Sequence, residues 1–209
     1  MKNLFMIASL VVFTLSGFAQ NDTKANAILD EVSAKTKLYK TIKVEFTYAM
    51  DNAKEKIHDK FKGSLISKGD KYKLTAAGQD VISDGKTMWT YLKETNEVQI
   101  NKAGEDDDSF TPTKLLSGYN KDYKSKFITE KGNDQILELY PLKKGKTFTK
   151  VQLTIDKSKK QISKFVIYDR GGSTFSYIVD KFVTDQAIAD NVFTFNKAEH
   201  PGVEMNDMR

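Results

Sequence analysis

The chain has 209 residues, 33 Lys+Arg against 28 Asp+Glu for a net charge of +5, and no cysteine. That length suits one domain with a real core. The mild, interspersed charge carries no nucleic-acid footprint, and the missing thiols exclude disulfides, thiolate chemistry and a lipid-modified cysteine.

The first element is an export signal. Lys2 precedes an apolar run at 4–15 (LFMIASLVVFTL), and Gly17 and Ala19 supply small residues for a cut before Gln20. The run is too short to span a bilayer, and no later stretch approaches that length. The expected organisation is a cleaved signal peptide at 1–19 and one domain at 20–209. For an exported, cysteine-free chain of this size we expect the periplasm.

Asp22 and Thr23 are good N-cap residues. Ala25, Ile28, Leu29, Val32, Thr36 and Tyr39 then recur at helical spacing, which predicts an amphipathic helix over about 23–39. Ile42, Val44, Phe46, Tyr48 and Met50 alternate with polar residues as a half-buried strand does. Weaker strand patterns cover 55–67 and 71–76, with Gly69-Asp70 as the turn between them. Val81-Ile82 runs through Ser83-Asp84-Gly85-Lys86, a tight hairpin turn, and returns as Met88-Trp89-Thr90-Tyr91-Leu92. A turn at 94–96 leads into Val98 and Ile100. The charged stretch 102–109 reads as a loop, and its adjacent acids lack the alternation of a calcium loop. Thr111-Pro112 caps a short helix carrying Leu115, Leu116 and Tyr119.

The second half reads as strand at 123–130, 135–142, 148–156, 161–169 and 173–183, with a final short strand at 192–195. Val151, Leu153 and Ile155 alternate cleanly, as do Phe175, Tyr177 and Val179; 165–168 is apolar on both faces. The 13 Phe, 9 Tyr and single Trp supply aromatic area for a broad antiparallel sheet.

Catalysis is hard to build from these residues. His58 and His200 are far apart in polar company, no Gly-x-Ser-x-Gly elbow occurs, no cluster has metal-ligand spacing, and Gly171-Gly172 opens no helix. We expect neither an enzyme nor a cofactor. Two basic runs, Lys143-Lys144-Gly145-Lys146 and Lys157-Ser158-Lys159-Lys160, could dock an acidic partner or a lipid surface, but read first as solvated hairpin turns. A strongly curved sheet loosely covered by helices would leave a greasy interior able to take apolar ligands.

The segment Val81-Ile82-Ser83-Asp84-Gly85-Lys86-Thr87-Met88-Trp89-Thr90-Tyr91 resembles the signature hairpin of the periplasmic outer-membrane lipoprotein carrier family (LolA-like). Thr41-Ile42-Lys43-Val44-Glu45-Phe46-Thr47 resembles that family's first strand. The tail, from Val151-Gln152-Leu153-Thr154-Ile155-Asp156 through Val192-Phe193-Thr194-Phe195 to Pro201-Gly202-Val203, is similar in order and spacing. The resemblance implies a mainly β fold: an incomplete antiparallel barrel, of about ten to eleven strands here, with helices lidding a hydrophobic cavity. It implies acylated lipoproteins as cargo, an inner-membrane ATP-driven lipoprotein-releasing complex as donor, an outer-membrane acceptor, no nucleic acid, and a monomer.

On this reading the lid stripe is Ile28, Leu29 and Val32, with Leu115 and Leu116 from the second helix. The cavity wall is Ile42, Val44, Phe46, Tyr48, Trp89, Tyr91, Val151, Leu153 and Ile155. Tyr72 and Leu74 fall where the family places exposed apolar docking residues. The family's lid-latching arginine has no counterpart here, where the chain reads Ser67-Lys68-Gly69-Asp70, so Lys68 is the remaining candidate, as a point charge without a guanidinium fork. A carrier for another lipid or a glycolipid, or a lipoprotein-sensing module, would use the same cavity.

Overall fold

The computed structural model describes residues 17–104 and 122–209, so Leu115, Leu116 and the short helix around them lie outside the described residues. One helix, α1 (Gly17–Lys37), precedes twelve strands among the described residues. These are β1 (Ile42–Asn52), β2 (Ile57–Lys68), β3 (Lys71–Ala76), β4 (Gln79–Ser83), β5 (Thr87–Leu92), β6 (Glu97–Lys102), β7 (Tyr123–Lys131), β8 (Asp134–Pro141), β9 (Phe148–Asp156), β10 (Gln161–Asp169), β11 (Thr174–Thr184) and β12 (Glu204–Asp207).

They form one sheet in the order β12-β6-β5-β4-β3-β2-β1-β11-β10-β9-β8-β7. Every neighbouring pair is antiparallel except β12 on β6. The central joint, β1 on β11, brings the two halves of the chain together, and β12 and β7 are the edge strands among the described residues. The sheet is therefore an open half-barrel, as the resemblance implies, with one or two strands more than expected.

Short turns hold the register. Asp84 accepts from the amides of Lys86 (2.8 Å) and Thr87 (2.7 Å), and Gly85 takes the positive φ of 92° that closes the β4–β5 hairpin. Asn52 and Asp156 fold the β1–β2 and β9–β10 turns in the same way, accepting from backbone amides two or three residues on.

The helix lies on the second half of the sheet. Ala25, Leu29 and Val32 are fully buried against Leu137 and Leu139 of β8, Val151, Leu153 and Ile155 of β9, and Phe165 of β10. Ser125 of β7 donates to the Asn26 side chain at 2.5 Å, and the Lys24 ammonium stands 3.7 Å from the centre of the Phe127 ring. The helix thus covers the apolar face that the alternation of β8–β10 creates.

A second core lies elsewhere. Ile82, Tyr91 and Val98 pack with Phe195 and Val203, with Trp89 at their edge. The predicted strand at 192–195 is instead a 3-10 turn, Asp190–Phe193, followed by another at Lys197–Glu199 that the Asn196 side chain caps. The apolar spacing at 192–195 reflects anchoring: Phe193 is fully buried, and Phe195 enters the second core. The chain then returns as β12 beside β6.

Candidate functional site

The ladder registers show which side chains share a face. Leu153 pairs with Phe165, Phe165 with Tyr177, Tyr177 with Tyr48, and Tyr48 with Phe61. Directly opposed residues point to the same side. These residues therefore form one row across five strands, on the face that carries α1. The rings touch in sequence: Phe165 stacks on Tyr177 at 4.3 Å between centroids, Tyr177 meets Tyr48 at 5.0 Å, and Tyr48 stacks on Phe61 at 6.2 Å. Phe46 and Phe175 flank the row, 5.7 Å from Tyr177 and 6.4 Å from Tyr48 respectively.

Exposure rises along the row. Phe165 is 7% exposed beneath the helix, Tyr177 and Tyr48 are half-buried, and Phe61 is 44% exposed. Burial pushes the Tyr177 hydroxyl up to about 12, helped by the neighbouring Tyr48 phenol. Burial, with the negative charge of Asp59, also raises Tyr48. Both phenols are neutral O–H groups at physiological pH, so the ring row itself carries no charge, and the Asp59 carboxylate lies beside its exposed end. The row offers apolar area and a few hydroxyls.

Several expected residues belong to this face. Ile42, Val44, Phe46 and Tyr48 share it by alternation along β1, and Val44 and Phe46 are buried. Ile28, Leu29 and Val32 form the stripe of α1 turned toward it, with Ile28 at the edge of the cluster. Val151, Leu153 and Ile155 are fully buried beneath the helix, so they are its seat rather than open wall.

Trp89 and Tyr91 do not belong to it. Val44 opposes Leu65, Leu65 opposes Leu74, Leu74 opposes Val81, and Val81 opposes Thr90. Thr90 is thus on the helix side, which turns Trp89 and Tyr91 to the far face, against Phe195 and His200. His200 is sandwiched there, 4.3 Å from Tyr91 and 4.7 Å from Phe195. Tyr72 and Leu74, expected as exposed docking residues, are half-buried on the helix-side face, where the Tyr72 hydroxyl donates to Met88 Sδ at 3.4 Å.

Lys68, the candidate latch, is turned away from α1. It points to the far face, where its ammonium lies 2.7 Å from Asp190 Oδ1 and 3.2 Å from the Ile188 carbonyl, while Lys71 takes Asp190 Oδ2 at 2.9 Å. The two lysines fasten the C-terminal segment. Beside it, a groove of about 430 Å³ runs between Lys43, Glu45, Ile66 and Val183 of the sheet and residues 186–192.

Phe61, Phe165, Phe175 and Tyr177 complete the aromatic row, and none of them was among the residues expected on the cavity wall. The signal was the alternation of β11 and β10, which marks a buried face without saying which strands share it. No group of three or more His, Cys, Asp or Glu among the described residues is placed to hold a metal. No helix of the described residues is long and apolar enough to cross a membrane.

Fold and wall together define an open β half-barrel with a helix laid on its apolar, aromatic face. The sequence profile described as "Outer membrane lipoprotein carrier protein LolA" matches residues 37–196. The chain belongs to the outer-membrane lipoprotein carrier protein family, a family of carriers and not of enzymes. It is similar to the outer-membrane lipoprotein carrier protein of Histophilus somni, 26% identical over 213 residues that span 100% of this chain and 99% of the relative. It is also similar to that of Psychromonas ingrahamii, 26% identical over 215 residues that span 100% of both. A solved structure of an uncharacterized conserved protein from Thermus thermophilus has the same fold, with a TM-score of 0.57 at 14% identity over 88% of this chain and 99% of that one.

Proposed function

We propose that the protein is a periplasmic carrier whose helix-side wall receives the acyl chains of lipoproteins. It takes them from an ATP-driven releasing complex in the inner membrane and passes them to an acceptor at the outer membrane, working as a monomer without cofactor. The observation that carries this reading is the aromatic row that begins under α1 at Phe165 and emerges at Phe61. Acyl chains entering along it would continue an apolar surface the helix already occupies at one end.

Energetics favour this design. A multiply acylated anchor presents tens of methylenes, and at about 0.8 kcal/mol each their transfer from water exceeds the practical affinity ceiling of about 20 kcal/mol. The relevant exchange is therefore between apolar sites, membrane to wall to membrane, and is nearly balanced. The carrier needs a wall that is incompletely covered, and the driving force comes from elsewhere.

The test is displacement of a solvatochromic apolar fluorophore by acyl chains. Wild-type protein binds it, and Tyr48→Glu or Phe61→Glu, in the exposed part of the row, loses binding while circular dichroism stays native. Unchanged binding in both overturns the reading. Depletion in the cell should leave outer-membrane lipoproteins behind at the inner membrane. Mass spectrometry of co-purified ligand distinguishes acylated lipoprotein from a glycolipid.

A further inference from the structure

The segment that follows β11 is pinned to the sheet by its carbonyls. Asp185 turns the chain at a φ of 57°. The Gln186 carbonyl then accepts from Thr41 Oγ at 2.8 Å, and the Ile188 carbonyl from Lys68 Nζ at 3.2 Å. Asp190, held by Lys68 and Lys71, fixes the end of the segment. The backbone amides of Gln186, Ala187, Ile188 and Ala189 donate to no group among the described residues. No turn closes on the segment before the Val192 amide bonds to the Ala189 carbonyl, and Ala189 is extended at φ −69°, ψ 144°.

This segment is one wall of the groove of about 430 Å³ on the far face. Ile66, Val183 and Val192 give the groove its apolar surface. Three charged residues line it as well. Glu45 stands 3.9 Å from Lys181, so those two answer each other. Lys43 lies in the ladder between Ile66 and Val183, and its ammonium has no partner among the described residues. Ala187 and Ala189 are exposed and carry only methyl groups, so a second backbone can come close.

We infer that the groove receives an extended, acidic segment of a partner protein, added as a strand along 186–189 with a carboxylate on Lys43. In an extended run, neighbouring residues aim their backbone groups to opposite sides. With the carbonyls of Gln186 and Ile188 taken by the sheet, Ala187 and Ala189 offer their N–H groups to the newcomer. Its aliphatic side chains rest on Ile66, Val183 and Val192. An acyl chain would use that apolar surface and leave the amides and the ammonium idle; a basic peptide would be repelled by Lys43. A peptide backbone with a negative side chain answers all three. The segment is already held in place, so little ordering is spent on binding. The inference goes beyond the carrier reading, because the groove lies across the sheet from the proposed acyl-chain wall.

The experiment is an NMR titration of the isotope-labelled protein recovered from the periplasm. The probes are a blocked peptide of alternating valine and glutamate and its valine–lysine counterpart. The amides at 186–189 are expected to shift with the first peptide only, and less at high salt. Lys43→Gln should weaken binding about threefold or more. Ala189→Pro should do the same, about threefold or more, by removing a donor. The φ of −69° at Ala189 already suits proline, so that variant keeps its fold. Fluorophore binding at the aromatic row should be unchanged in both variants. No shift at 186–189 with the acidic peptide in the millimolar range, equal shifts with the lysine peptide, or indifference to both substitutions overturns the inference. Shifts confined to the aromatic row also overturn it, and would assign the peptide to the helix-side wall.

Discussion

The ring of Phe46 occupies the space above Gly63, its cross-strand partner. A Cβ on Gly63 would stand 2.5 Å from both Cε2 and Cζ of that ring and 2.9 Å from the Thr75 carbonyl oxygen. Glycine is what lets the aromatic face run from β1 into β2 without a step. Gly63→Ala is expected to push Phe46 off its seat against Tyr177 and to destabilise the fold by about 1–3 kcal/mol. Urea unfolding measures the loss, and an unchanged midpoint would mean the ring moves aside freely.

The single tryptophan lies on the face of the sheet opposite the proposed acyl-chain wall. Trp89 packs by the C-terminal cluster on the far face. Brominated fatty acid bound along the helix-side wall is therefore expected to quench tyrosine emission and leave Trp89 emission intact. Phe195→Ala, in contrast, should shift Trp89 emission to longer wavelength. Strong Trp89 quenching by the brominated chain would contradict the face assignment.

The C-terminal clamp is acid-sensitive. Hydrogen bonds from Lys68 and then Lys71, reinforced by their charge, hold Asp190 at about 2, below the ordinary carboxylate value of about 3.9. A depressed folded value means the clamp's contribution is complete above about pH 4 and is lost as pH falls through about 2. Because Asp190 is exposed, the effect is local. Asp190→Asn should lower the protection of the Val192 and Thr194 amides against hydrogen exchange, relative to their intrinsic rates, at neutral pH, and acid should lower it in the wild type alone.

On the far face of β8–β10, Glu138 is buried and accepts from Lys150 Nζ at 2.6 Å, from Gln152 Nε2 at 3.3 Å and from the Tyr140 hydroxyl. Burial pushes its carboxyl up, but these bonds and the ammonium charge outweigh it and hold the group below its usual range. Glu138 therefore stabilises the fold above the ordinary glutamate value, and that contribution fades as pH falls through its lowered one. Lys150→Met leaves burial without an ammonium to answer it. The expected cost is about 1–3 kcal/mol at pH 7, with a smaller difference from wild type at pH 4, both read from urea midpoints.

Most strand positions and boundaries followed from period-two alternation, and the Ser83-Asp84-Gly85-Lys86 turn was legible because its chemistry is local. What alternation cannot supply is parity between strands. Trp89 sits on the face of Ile82 because their hairpin pairs them, yet whether Ile82 shares a face with Phe46 depends on the registers of β2, β3 and β4 in succession. An odd step anywhere flips the answer. The partner of Lys68 was illegible for a related reason, since Asp190 lies 122 positions along the chain. The 192–195 segment shows the converse, where apolar residues two apart anchor a 3-10 turn rather than a strand.

Because β12 and β7 never meet, widening the half-barrel severs no ladder. A closed cylinder must break a full seam of hydrogen bonds to admit a thicker guest, whereas this sheet can splay by small changes of twist summed over its eleven joints. On the proposed reading, one carrier would in this way fit anchors of different girth, at a cost set by bending and independent of which chain it holds.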